Sequence, residues 1–181
     1  MKDNKHKIIL FCIGFIVIMA AWLIINAEKL SLLRLLWTVL LITLSYLVAV
    51  FDINKKQIPN ELIIIMITIW LILIVPLIIY DMDSGISVLT DSLLGVLIGG
   101  GIFMLVYIVS RKGLGGGDVK FMAAAGLYLG FTGTIPAILY GTVLAAITGL
   151  VLLICKKIGR KDTIPLAPFL FVGILITVFS N

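Results

Sequence analysis

Few residues in this sequence are equipped for chemistry. The one histidine, His6, lies in the charged stretch "MKDNKHK". The two cysteines, Cys12 and Cys155, stand apart, and neither forms a Cys-x-x-Cys pair. A thiolate zinc site has no ligand set, and a Ser-His or Cys-His pair inside a membrane has no base. What remains is acid, in nine carboxylates. Asp3, Glu28, Asp81, Asp83 and Asp162 read as solvated residues of tails and loops. Glu61 follows Asn60 at the start of an apolar run, where negative charge complements the helix macrodipole. Asp91, after "VLT", reads as a cap or first residue of another run. Asp52 and Asp118 are left, each where an apolar run meets a basic loop.

Taken singly, Asp52 is one polar residue of the turn "VFDINKKQIPN". Asp118 alone is an N-cap after "GLGGG". Taken together they invite another explanation, because ionisable groups at the edge of the membrane core are costly. Two neighbouring carboxylates share a proton, which suits them to activate a water and protonate a leaving amine. Asp118 begins a helix and Asp52 ends one. The macrodipoles therefore suggest Asp118 as the carboxylate and Asp52 as the acid.

The elements that must position the pair are membrane spans. The 181 residues are 62% hydrophobic and only 13% charged, where a soluble domain is about half apolar and a quarter charged. Apolar runs cover Ile8–Ile25, Leu35–Phe51, Leu62–Tyr80, Leu93–Ser110, Val119–Phe131, Thr134–Cys155 and Ile164–Phe179. Val119–Phe131 is short for a hydrocarbon core of about 30 Å, and is either a short span or a re-entrant piece. With the N-terminus inside and all seven runs crossing, only Lys29 and Arg34 of the 14 basic residues lie outside. A re-entrant Val119–Phe131 would move the basic Lys156–Lys161 loop outside, so seven crossings are expected in place of six. The expected fold is an all-α polytopic membrane protein, a single domain over 1–181 with a cytoplasmic N-terminus. The first run is expected to be a span and not a cleaved signal. The net charge of +5 follows from the loops and is not a nucleic-acid footprint.

Glycine supplies the rest. "GLGGG" is a poor helix but lets another chain approach its backbone closely. It is not a phosphate loop, since no Gly-Lys-Ser/Thr follows. Gly95 and Gly99, Gly126 and Gly130, and Gly141, Ala145 and Gly149 recur at the spacing that lets helices meet closely in lipid. Pro59 breaks the chain and Asn60 is the expected N-cap of the following run. Lys120 reads as an anchor at the membrane surface.

Three blocks carry a family resemblance. They are "DINKKQIPN" from Asp52 to Asn60, "GGGDVK" from Gly115 to Lys120 with "AAAGLYLG" after it, and "IPLAPFL" from Ile164 to Leu170. The chain resembles the prepilin and preflagellin leader peptidases, a branch of the GxGD intramembrane aspartyl proteases, from Leu35 to its C-terminus. The resemblance implies an endopeptidase that removes the short basic leader of pilin-like or flagellin-like precursors at the cytoplasmic membrane face. It places the catalytic pair on Asp52 and Asp118. It suggests substrate-binding or positioning roles for Gly115, Gly116, Gly117, Lys120, Pro59, Asn60, Pro165 and Pro168. Family members that also N-methylate the product carry paired Cys-x-x-Cys motifs, which are missing here. Methyl transfer, a metal and any other cofactor are therefore not expected. The expected partners are the precursors and the bilayer. The competing class is a small cation-coupled transporter or a pilus-assembly scaffold, with the two aspartates binding a cation. Paired broken helices at the midplane, the mark of many transporters, are not evident.

Overall fold

A computed structural model describes residues 14–17, 19–22, 32–110, 113–157, 159 and 163–180. Most of the run Ile8–Ile25 lies outside the described residues, as do Asp3, Glu28 and Asp162. The chain divides into two compact units, Met1–Leu40 and Leu41–Asn181. In the first, 14–17 and 19–22 are helical. Helix α1, Leu32–Lys55, begins there and runs on into the second. The second unit continues with α2 (Asn60–Tyr80), α3 (Met82–Val109), α4 (Gly116–Ile154) and α5 (Ala167–Ser180).

The described residues are all helix and loop. These helices are rich in isoleucine and valine, which favour strands in water. A lipid environment reverses that preference, because only a helix satisfies its backbone within one segment. Four helices, α1 to α4, are long and apolar enough to cross a membrane, and α5 is a shorter apolar helix. The chain is thus a multi-pass membrane protein by its architecture. Its outward faces carry large apolar side chains such as Ile64, Leu97, Leu105 and Leu150, as a lipid-facing surface requires.

Helix α4 is two helices joined at Gly130, whose φ of 65° and ψ of −172° break the helical path. The packing against α3 shows that the chain reverses there. A Cβ on Gly95 would strike the carbonyl oxygen of Gly126 and lie 2.9 Å from the carbonyl carbon of Gly130. One turn further along α3, a Cβ on Gly99 would lie 2.5 Å from the Met122 oxygen and 3.3 Å from Thr134 Cγ2. Met122 and Thr134 therefore sit side by side, and the limbs before and after Gly130 run in opposite directions. The first limb, Gly116–Gly130, spans about 22 Å at 1.5 Å per residue. The expected runs Val119–Phe131 and Thr134–Cys155 correspond to these two limbs.

The small residues singled out in the sequence make the closest contacts. Gly126 meets the backbone of Gly95 in return. On the second limb, Gly141 meets Leu170 while Ala137 and Gly141 meet Gly173, so α5 packs antiparallel to that limb. Gly149 is looser, with only the Ile164 side chain at 3.4 Å.

Four sequence expectations change. Helix α3 begins at Met82 and not near Leu93, because its polar first turns are helical although they are not apolar. Asp81 is its N-cap and accepts the Ser84 amide at 3.2 Å. It is therefore no simple loop residue, and the hydroxyl and amide of Ser84 hold its carboxyl below the usual range. Asp91 lies inside α3, where its Oδ1 accepts the Phe131 amide at 3.0 Å and its Oδ2 lies against Gly130. It caps the second limb of α4 across the helix contact, and does not cap its own helix. Asn60 is the first residue of α2 and the N-cap is Pro59, with no side-chain capping bond.

Asp91→Ala should lower thermal stability in detergent by about 1 kcal/mol, as loss of a capping oxygen does elsewhere. Asp91→Asn, which keeps an acceptor at Oδ1, should retain most of that stability.

Candidate active site

Three segments converge at one end of the bundle. The first is the end of α1 and the loop after it. Asp52 falls on the buried face that α1 also presents with Ser45, Val48 and Ala49. Lys56 takes a left-handed φ of 49° and ends the helix one turn later. The second segment is the glycine loop. Gly115 is extended, α4 starts at Gly116, and Asp118 is in its first turn, with its amide bonded to the Gly115 oxygen at 3.1 Å. The third is the run Thr163–Leu166 that leads into α5.

Asp52 and Asp118 line a single cavity of about 280 Å³, together with Lys56, Gln57, Ile58, Gly115, Gly116 and Gly117. Both carboxylates belong to buried residues, at 6% and 9% exposure. The glycines are needed for space. A Cβ on Gly117 would lie 3.0 Å from the Ile58 Cβ, and one on Gly115 would lie 2.7 Å from Asp118 Oδ2. Bare backbone at these positions lets the loop after α1 close over the carboxylate, which explains why the sequence puts so much glycine before Asp118.

Hydrogen bonds tie the segments together. The Ala167 amide donates to Asp52 Oδ2 at 3.0 Å. Ala167 is the first residue of α5, so this carboxylate satisfies one of the amides that a helix N-terminus leaves open. Asp52 stands near the C-terminal end of α1, as expected, and the positive end of α5 points at it as well. Lys56 Nζ donates to the Thr163 oxygen at 3.0 Å, and Lys120 Nζ to Asn60 Oδ1 at 2.9 Å. Lys120 is thus a cross-link between the first two blocks as well as a surface charge. Asp118 Oδ1 is buried and has no partner among the described residues.

Of the residues singled out in the sequence, Asp52, Asp118, Gly115, Gly116 and Gly117 meet in the cavity. Pro59, Asn60 and Lys120 adjoin it through the cross-link. Pro165 and Pro168 flank the stretch whose Ala167 amide reaches Asp52. Sequence reasoning missed that amide, and it missed Lys56, Gln57 and Ile58 as lining residues. The signal for Ala167 is present in "IPLAPFL": the prolines carry no N–H, so Leu166 and Ala167 hold the amides between them. Among the described residues no group of three or more His, Cys, Asp and Glu side chains is placed to hold a metal.

Fold and site together define a polytopic membrane protein with two carboxylates in a cavity at the ends of its helices. Residues 39–150 match the type IV leader peptidase family, and the chain belongs to that family. It is 27% identical over 144 residues to a prepilin leader peptidase/N-methyltransferase of Bacillus subtilis (strain 168), covering 80% of this chain and 55% of that protein. A protein of the same description from Xanthomonas campestris pv. campestris is 28% identical over 133 residues, covering 71% of this chain and 44% of the relative. "Leader peptidase HopD" of Escherichia coli is 36% identical over 89 residues, covering 45% and 57%. The chain spans about half the length of the curated relatives it matches. No solved structure matches it significantly.

Gly117→Val should push Ile58 outward and cost about 1–3 kcal/mol of stability in detergent, the usual range for overpacking. Gly116→Ala, whose added carbon finds only Tyr107 at 4.0 Å, should leave the melting temperature unchanged.

Proposed function

We propose that this chain is an intramembrane aspartyl endopeptidase that removes the leader of pilin-like or flagellin-like precursors. The observation that carries this reading is the meeting of Asp52 and Asp118 in one cavity of a chain from the type IV leader peptidase family. The two come from separate helices. Their burial keeps bulk water from screening them and leaves room for a peptide bond and one water.

The chemistry follows from the hydrogen bonds. A peptide carbonyl enters the cavity, and a water between the carboxylates attacks it. One carboxylate accepts the water's proton as the C–O bond forms. The other, protonated at the outset, donates its proton to the leaving nitrogen as the C–N bond breaks. Asp52 is held by the Ala167 amide, so its orientation is fixed before substrate arrives. Among the described residues Asp118 Oδ1 has no hydrogen-bond partner, whereas the amide on Asp52 favours its charged form, so Asp118 carries the shared proton and acts as the acid. That exchanges the roles suggested by the macrodipoles alone. Pro59, Asn60, Pro165, Pro168, Lys120 and the three glycines act by positioning the loops that carry the pair.

The same reading sets the pair at the cytoplasmic face of the cell membrane. Lys55, Lys56 and Lys120 stand at the cavity end of their helices, as basic residues do on that side. The reversal at Gly130 supports a first limb of α4 that crosses and a second that returns, which favours seven crossings with the N-terminus inside. The whole of 1–181 then acts as one peptidase domain. The residues at hand carry no Cys-x-x-Cys pair, and the proposed activity is cleavage without methyl transfer.

Asp52→Asn and Asp118→Asn should each abolish shortening of a co-expressed pilin precursor, with both variants still found in the membrane. Substantial cleavage by either variant would sink the assignment, and a transporter or scaffold would not shorten the precursor at all. Purified enzyme treated exhaustively with a chelator should keep its activity. Activity lost to chelation and restored by added metal would instead favour a metal mechanism.

A further inference from the structure

Lys56 sits in a conformation that lysine disfavours. Its φ of 49° is in the left-handed region, where a side chain crowds the backbone and glycine does not. Its amide still donates to the Asp52 oxygen at 2.8 Å, so it closes the turn that carries Asp52. Glycine is the common residue at such a helix end. A cation past a helix C-terminus is favoured by the macrodipole, and Lys156 adopts the same conformation after α4. The destination of its ammonium distinguishes Lys56. Lys56 is among the residues that line the cavity, and its Nζ donates to the Thr163 oxygen. Thr163 opens the short run whose Ala167 amide holds Asp52 Oδ2.

These contacts form a ring. Asp52 is tied through its own helix turn to Lys56, through Lys56 Nζ to Thr163, and through Thr163–Ala167 back to its carboxylate. We propose that Lys56 is a positioning residue for Asp52, whose ammonium pins the 163–167 run so that the Ala167 amide stays on the carboxylate. Strain kept at such a site is retained for the side chain's task. The inference rests on the peptidase reading for its kinetic consequence, but the pinning itself has an independent readout.

The test uses the protein with Cys12 and Cys155 replaced by serine and Leu166→Cys introduced. Leu166 is half-buried within the run, and the oxygen that Lys56 contacts is the Thr163 backbone, so this label leaves the contact in place. Reaction of the new thiol with a maleimide should be roughly three- to tenfold faster in Lys56→Met, because the run opens locally. On the background with native Leu166, Lys56→Met should lower kcat about ten- to a hundredfold with KM little changed, as misplacement of a reacting group does. Lys56→Arg should restore both readouts. Lys56→Gly should melt no lower than the parent, since it relieves the left-handed backbone, yet should show the same fall in kcat. A merely structural lysine would give the opposite pattern, with Lys56→Gly fully active. Full kcat in Lys56→Met or Lys56→Gly, or an unchanged labelling rate in Lys56→Met, would overturn the proposal. Asp52→Asn is run beside them. If it also cleaves precursor, the peptidase reading has failed, and the labelling rate alone decides the pinning.

Discussion

Helices α3 and α4 meet with almost no side chains between them, and the rest of the Leu41–Asn181 unit is arranged around that contact. Gly95 and Gly126 lie backbone to backbone, and Gly99 lies against Met122. In lipid there is little hydrophobic gain in bringing two helices together, so close van der Waals contact has to hold them. Because the first limb of α4 lies so near α3, its reversal at Gly130 falls within reach of Asp91. Because the reversal is fixed there, the second limb returns beside α5. Asp118, at the other end of the first limb, is placed by the same contact. A residue that does no chemistry, Gly126, thus helps decide where a carboxylate stands.

At the cavity end the controlling quantity is the number of open backbone amides and carbonyls. A helix start leaves amides without partners and a helix end leaves carbonyls. Within lipid such groups are expensive, and here they are spent on the carboxylate pair and its loops. The start of α5 gives Ala167's amide to Asp52, and Lys56 answers the Thr163 carbonyl. Among the described residues, Asp118 Oδ1 is a buried oxygen without a hydrogen-bond partner, and Asp118 lines the cavity. An unmet hydrogen-bonding group in such a place calls for a partner from outside the chain.

Much of this was legible from residue types. Apolar runs gave the helices, because hydropathy and length are what a bilayer selects. Asp52 and Asp118 stood out since nothing else reactive remained, and the glycines before Asp118 announced a close approach that Ile58 makes. Other features were not legible, for particular reasons. The start of α3 at Met82 was missed because hydropathy reports contact with lipid, and "MDSGISVLTDS" is helical without being apolar. Asp91 looked like a local cap, but the amide it serves belongs to Phe131, and only the folded contact brings them together. Asp52's partner is a backbone amide, which has no residue type to read. Lys56 looked like one more basic residue near the membrane surface, since a left-handed φ leaves no mark in the letter K.

The bond between Asp52 and Ala167 joins residues 115 positions apart. During synthesis at about 5–20 residues per second, that separation amounts to roughly 6–23 s. For that interval α1 is already made while the amide that will hold its carboxylate does not yet exist. The glycine loop and Asp118 emerge partway through the wait. The hydrogen bond to Asp52 therefore waits for the helix that begins at Ala167. A nascent chain halted before Ala167 holds both carboxylates and the cavity glycines but lacks the clasp on Asp52.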